Sequence, residues 1–196
     1  MNRIILALAA LGAALSLSAC GAFSDDSPPL AGAAIGGPFT LTDQDGHSVR
    51  DTDFAGKYRI MYFGYTLCPD VCPVDVQNIA AGMRLFEQQH PDLAAKVVPI
   101  FITVDPERDD VDKVRQFVRA FHPRMVGLTG SAQAIADVTR RYGDLVQKEQ
   151  TPGNPSFLVN HSRTAYLMGP DGKPIATLPA EQSGEAVSTE LARWVK

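Results

Sequence analysis

Two cysteines stand in the stretch Gly64-Tyr65-Thr66-Leu67-Cys68-Pro69-Asp70-Val71-Cys72-Pro73, with three residues between them. Two thiols at that spacing can bind a soft metal ion, close into a disulfide, or do each in turn. A strand-like run, Arg59-Ile60-Met61-Tyr62-Phe63, precedes them, and a helix-like run from Val74 to His90 follows. That order places both thiols at the end of a buried strand and the mouth of the next helix, where open α/β sheets carry their reactive groups.

The prolines shape the loop. Pro69 and Pro73 bias Cys68 and Cys72 away from the right-handed helical region, so the segment between the thiols is expected as a loop, with the helix starting at Pro73. Cys72 is then expected at the N-cap, where the helix dipole and free backbone N–H groups favour its thiolate. One residue more than a Cys-x-x-Cys loop gives room to spread two sulfurs around one ion. Soft thiolates joined by one imidazole suit Cu(I). A permanent disulfide across so short a loop restricts the unfolded chain little. Structural zinc wants four protein ligands, and no second cysteine pair exists.

Four histidines are available for the third position. His90 and His122 each close a helical pattern before a proline, and solvated roles at those C-termini are expected. His47 falls in an N-terminal turn with nothing to link it to the thiols. His161 lies in a turn-like link between two apolar runs, and topology brings that link towards the cysteine loop. On the residues alone it is either a ligand or a surface histidine.

The elements that must position these groups follow from the pattern. Phe39–Val49 reads as a hairpin turning at Asp45-Gly46, and Lys57–Thr66 as the strand feeding the cysteines. Lys96–Val104 reads as a buried parallel strand. Helices are expected at about 110–121 and 131–142, around a short strand at Met125–Leu128. Strands are expected at Leu145–Lys148 and Ser156–Val159, then a second hairpin over 164–178 turning at Pro170-Asp171-Gly172. An amphipathic helix, Gly184–Val195, closes the chain. The layout, βαβ first and hairpin plus helix last, predicts an α/β, thioredoxin-like fold: a central mixed sheet, an N-terminal β-hairpin extension and helices on both faces.

The first 19 residues have a signal peptide's layout: a short positive start at Arg3, an apolar Ala-rich run from Ile4 to Leu17, and Leu17-Ser18-Ala19-Cys20 at the end. That ending resembles the bacterial lipobox, which implies cleavage before Cys20, lipidation of its sulfur and attachment to a bacterial membrane on the extracytoplasmic, periplasmic side. Lipidation also leaves an even pair of thiols. Residues 20–38, rich in Gly, Ala, Ser, Asp and Pro, read as a flexible tether, and 39–196 as the folded domain. The formal net charge is −4, and losing the leader removes only one basic residue. With no basic stripe, nucleic acid binding is not expected.

Taken together, these residues resemble the Sco/SenC family of copper-binding thioredoxin-fold proteins. The matching segments are Phe63–Pro73, Thr103-Val-Asp105-Pro-Glu-Arg108-Asp109, Gly127-Leu-Thr-Gly130, Val159-Asn-His161-Ser162 and Tyr166–Gly172. They run in family order over about residues 36–196. The resemblance implies that Cys68, Cys72 and His161 bind one copper, as Cu(I) or Cu(II). It also implies a role in assembling the binuclear copper centre of cytochrome c oxidase, by delivering copper or by reducing that centre's cysteines. The partner would be the copper-accepting oxidase subunit or another copper chaperone. Two departures stand out: Asn160 where the family often has aspartate, and a lipid where many relatives use a transmembrane anchor. Asp70, Asp105 and Arg108, at the edge of the loop, either tune the site or make local structure, the latter pair as an ion pair and helix start. Two other readings of the thiols remain: a metal-free thiol–disulfide oxidoreductase using Cys68 and Cys72, and a peroxiredoxin-like peroxidase.

Overall fold

A computed structural model of the protein describes residues 27–150 and 157–196. Among the described residues nine strands form in chain order: β1 (Thr40–Asp43), β2 (Ser48–Arg50), β3 (Tyr58–Gly64), β4 (Val97–Thr103), β5 (Val126–Thr129), β6 (Gln147–Gln150), β7 (Phe157–Asn160), β8 (Ala165–Met168) and β9 (Pro174–Leu178). The helices are α1 (Val71–Gln89), α2 (Val111–Phe121), α3 (Ala132–Arg141) and α4 (Gly184–Trp194), with a single helical turn at Pro91–Ala94. Seven strands make one sheet in the order β2-β1-β5-β4-β3-β8-β9. Strands β3, β4 and β5 run parallel, whereas β1 and β8 join them antiparallel, so the sheet is mixed as expected.

All seven residues of β3 are buried, which requires cover on both faces of the sheet. Adjacent residues show what supplies it. Tyr62 points to α1, where its hydroxyl donates to Asp75 at 2.9 Å, and Phe63 packs on Tyr142 at the end of α3, ring centroids 5.2 Å apart. Helix α1 turns Cys72, Val76, Ile79, Ala80, Met83 and Phe86 inwards at the three- and four-residue spacing of an amphipathic helix. It lies beside α4, whose Val187 and Leu191 are fully buried.

Two expectations need correction. Residues 27–38 belong to the stretch read as a tether, yet they lie against the domain. Leu30 N–H donates to the Ile175 carbonyl (3.0 Å), Gly36 N–H to that of Arg141 (2.9 Å), and Leu30 and Ile35 pack against the core. Two apolar side chains and paired backbone groups suffice to hold this segment down. Second, β6 begins two residues later than read and stays outside the main sheet: its four residues are exposed and pair only with β7. Cys20 and the leader lie outside the described residues.

Candidate metal centre

Strand β3 ends at Gly64, directly beneath the cysteine loop. A Cβ there would sit 3.1 Å from Phe101 and 3.2 Å from the Cys72 sulfur, so any larger residue would press on both by a few tenths of an ångström. The loop is bolted to the neighbouring strand by Asp109, a fully buried carboxylate. It accepts from Thr66 N (2.8 Å), Thr66 Oγ1 (2.6 Å) and Thr103 Oγ1 (2.6 Å). In the sequence Asp109 stands out only as the end of a family-matching segment, and its neighbours give no hint of its burial or of this role.

Helix α1 starts at Val71 with Asp70 as its N-cap, two residues earlier than Pro73. The two thiols therefore differ from expectation. Cys72 is inside the first turn and fully buried, not at the cap. Burial, and then the hydrogen bond to the Cys68 sulfur, push its thiol far above the usual range. Cys68 is half-buried. Burial alone would raise it too, but the N–H of Asp70, the Cys72 thiol and the N–H groups of Cys72 and Val71 together bring it below its ordinary value. The helix N-terminus thus favours a thiolate on Cys68, and Cys72 is its proton-bearing neighbour. Asp70 itself is exposed, and what it gives the site is its backbone N–H.

His161 follows β7 directly. Its Nε2 lies 2.9 Å from the Cys72 sulfur, and one donor atom from each of Cys68, Cys72 and His161 falls within 4.8 Å of the other two. Nδ1 is 2.8 Å from the Ser162 carbonyl, which can only accept, so the proton sits on Nδ1 and the Nε2 lone pair faces the sulfurs. Tyr62 and Tyr65 meet the imidazole edge-on, ring centroids 6.4 and 6.0 Å away. Arg163 ties this loop to α1 through a forked pair of bonds to Asp75. Asp144, Asp75, Tyr62 and Tyr65 are further supports that sequence reasoning did not single out.

The other histidines stand apart from the cluster. His47 contacts Asp43 within its turn, and His90 packs on Phe86 at an exposed helix end. His122 is not solvated as expected but buried, with Nε2 3.4 Å from Glu87. Asp105 and Arg108 do pair, but the helix behind them starts later, capped by Asp110. Arg108 also donates to the Phe157 carbonyl (2.9 Å) and lies 3.8 Å from the centre of the Phe157 ring, which braces the start of β7. Asn160 turns outwards to Glu149, 2.8 Å away.

Two sulfurs and one imidazole nitrogen, with the imidazole's other N–H held by a carbonyl, form a donor set suited to a soft metal ion. Among the described residues no other group of three or more His, Cys, Asp or Glu side chains could hold a metal. The sheet and this cluster define a thioredoxin-fold protein with a two-thiol, one-imidazole centre at the end of its central strands. The chain belongs to the SCO1/SenC family, whose profile matches residues 27–196. It is 42% identical over 146 residues to mitochondrial protein SCO1 homolog 1 of Arabidopsis thaliana, covering 74% of this chain and 42% of that one. The structure of Arabidopsis thaliana ScoI with copper bound matches with a TM-score of 0.75 and 37% identity, over 82% of this chain and 98% of that one. Bradyrhizobium japonicum ScoI with copper bound matches with a TM-score of 0.74 and 36% identity, over 83% of this chain and all of that one. The chain spans 42–64% of the length of the first curated relatives it matches.

Proposed function

We propose that the protein is a copper metallochaperone. It binds one copper through Cys68, Cys72 and His161 and assists assembly of the binuclear copper centre of cytochrome c oxidase. The observation that carries this reading is the convergence of the three donor atoms within 4.8 Å of one another. Copper here is cargo, so the site must also release it. Cys68 is half-exposed, and the large apolar side chains exposed among the described residues, Leu67, Val74, Leu145 and Leu158, come from the segments that carry or flank the ligands. Leu67 adjoins Cys68, Val74 is in the first turn of α1, Leu158 is on β7, and Leu145 lines a groove of about 230 Å³ with His161. Such a rim suits a protein partner, the copper-accepting oxidase subunit or another copper chaperone, more than a small solute.

The test is an anaerobic copper titration of the reduced protein beside Cys68→Ala, Cys72→Ala and His161→Ala. One copper per chain, weakened in every variant, is expected; copper binding indifferent to His161 would overturn the reading.

A second reading rests on the unequal thiols. An accessible Cys68 thiolate beside a buried Cys72 thiol suits attack on a partner's disulfide, followed by closure of the Cys68–Cys72 disulfide. The two electrons go to the partner, which leaves as a dithiol. Disulfide reduction that persists in the metal-free protein under a copper chelator separates the two activities; His161→Ala does not, because Nε2 beside the Cys72 sulfur can also take its proton during closure.

The lipobox-like Leu17–Cys20 supports a lipid anchor at Cys20 on the periplasmic side of a bacterial membrane. Among the described residues no helix is long and apolar enough to cross a membrane. Palmitate labelling that is lost in Cys20→Ala is the expected result.

A further inference from the structure

Two elements far apart in the chain meet at Ser162. After α3 the chain turns at Gly143, whose φ of +67° only glycine adopts freely, and Asp144 N–H is pinned to the Thr139 carbonyl at 2.9 Å. The Asp144 side chain is thereby turned inwards and left 7% exposed. Its Oδ1 accepts from Ser162 N at 2.7 Å, and the next residue, Leu145, donates its N–H to Ser162 Oγ at 3.2 Å. Ser162 in turn offers the carbonyl that holds His161 Nδ1. The second carboxylate oxygen, Oδ2, is buried with no hydrogen-bond partner.

We propose that Asp144 is a positioning residue for the metal centre: its carboxylate grips Ser162, and through Ser162 it fixes the His161 imidazole with Nε2 turned to the two sulfurs. Sheltered from solvent, the bond from Ser162 N–H to Asp144 is stronger than it would be in water. Asn160, bonded to Glu149 on the exposed hairpin, takes no part in this grip.

This inference rests on the copper reading above, and the test separates the two. Full-length reduced protein in detergent micelles is titrated with Cu(I) and Cu(II) under competition, as wild type, Asp144→Ala, Asp144→Asn and His161→Ala. Loss of ligand-supporting groups typically weakens metal binding about 10- to 100-fold, and that loss is expected for Cu(II) in Asp144→Ala, with an altered Cu(II) spectrum. Asparagine can still accept from Ser162 N–H, so Asp144→Asn is expected to keep the ring in place and to bind copper nearly as tightly as wild type. In the metal-free proteins, the histidine ¹⁵N spectrum is expected to show a single Nδ1–H tautomer for His161 in wild type and Asp144→Asn, and a mixture in Asp144→Ala. Wild-type affinity and a single tautomer in Asp144→Ala would overturn the proposal. If Asp144→Ala does not fold, a Ser162 N–H that exchanges freely with solvent in the wild type would do so. A wild type that binds copper no better than His161→Ala removes the copper reading instead, and the tautomer populations still decide the role of Asp144.

Discussion

Arg163 grips Asp75 with two bonds, Nε at 3.0 Å and Nη2 at 2.7 Å, and so fastens the loop that carries His161 to the helix that carries Cys72. Asp75 is fully buried and also accepts from Tyr62, so losing the guanidinium strands a carboxylate in the core. Breaking a fully buried pair costs about 3–5 kcal/mol; with the Arg163 side chain 44% exposed, about 1–2 kcal/mol is expected for Arg163→Ala. In a chain of this size that lowers Tm by about 2–8 °C. Calorimetry and copper titration of this variant should show both a lower Tm and weaker binding. An unchanged copper affinity would mean that the loop is held without the pair.

The two thiols should react in order. Cys68 is half-exposed and favoured as thiolate, whereas Cys72 is buried and held as thiol. A short pulse of iodoacetamide at pH 7, read by peptide mass spectrometry, is expected to label Cys68 well before Cys72. Equal labelling, or Cys72 first, would contradict the assignment of the helix N-terminal N–H groups to the Cys68 sulfur.

His122 predicts an acid sensitivity remote from the metal centre. Burial lowers its pKa; Glu87 opposes that shift, and Arg84 and Arg124 add to it. The unfolded chain thus takes up the proton more readily than the folded one. The stability contribution is present above the ordinary histidine pKa of about 6.5 and is lost as pH falls below it towards the folded value. Urea unfolding at pH 7 and pH 5 should show a smaller acid loss in His122→Gln than in wild type. Equal losses would mean that His122 charges freely in place.

If the apolar rim meets the copper partner, a charge placed there should slow transfer without disturbing the ligands. Leu145→Asp, at a side chain left 75% exposed, is expected to keep wild-type copper affinity and stability but to slow copper transfer to the metal-free, reduced oxidase copper subunit about tenfold or more. Unaltered transfer kinetics would remove Leu145 from the contact.

Much of this architecture is legible in the sequence, because apolar runs such as Ile60–Phe63 and Ile100–Ile102 are buried strands by pattern alone and prolines mark where helices stop. Of the ligand triad, the two cysteines are legible through their type and spacing, whereas His161 stays open on the residues alone and is singled out by the family resemblance. The supports around the triad are not legible. Asp75, Asp109 and Asp144 sit in segments where a lone carboxylate reads as solvent-facing, and only the fold reveals their buried partners. The start of α1 was misplaced because Pro73 is tolerated throughout a first helical turn, where its missing N–H is no loss, so it marks the helix only to within two residues. The polar strand Gln147–Gln150 carries no hydrophobic alternation, and its pairing with β7 follows from tertiary context.

The most direct measurement is X-ray absorption at the copper edge of the Cu(II)-loaded protein and its His161→Ala variant. Two sulfur neighbours and an imidazole nitrogen are expected in the wild type, with the imidazole signal lost in the variant. A copper with fewer than two sulfur neighbours, or an imidazole signal that survives in His161→Ala, would contradict a centre built from Cys68, Cys72 and His161.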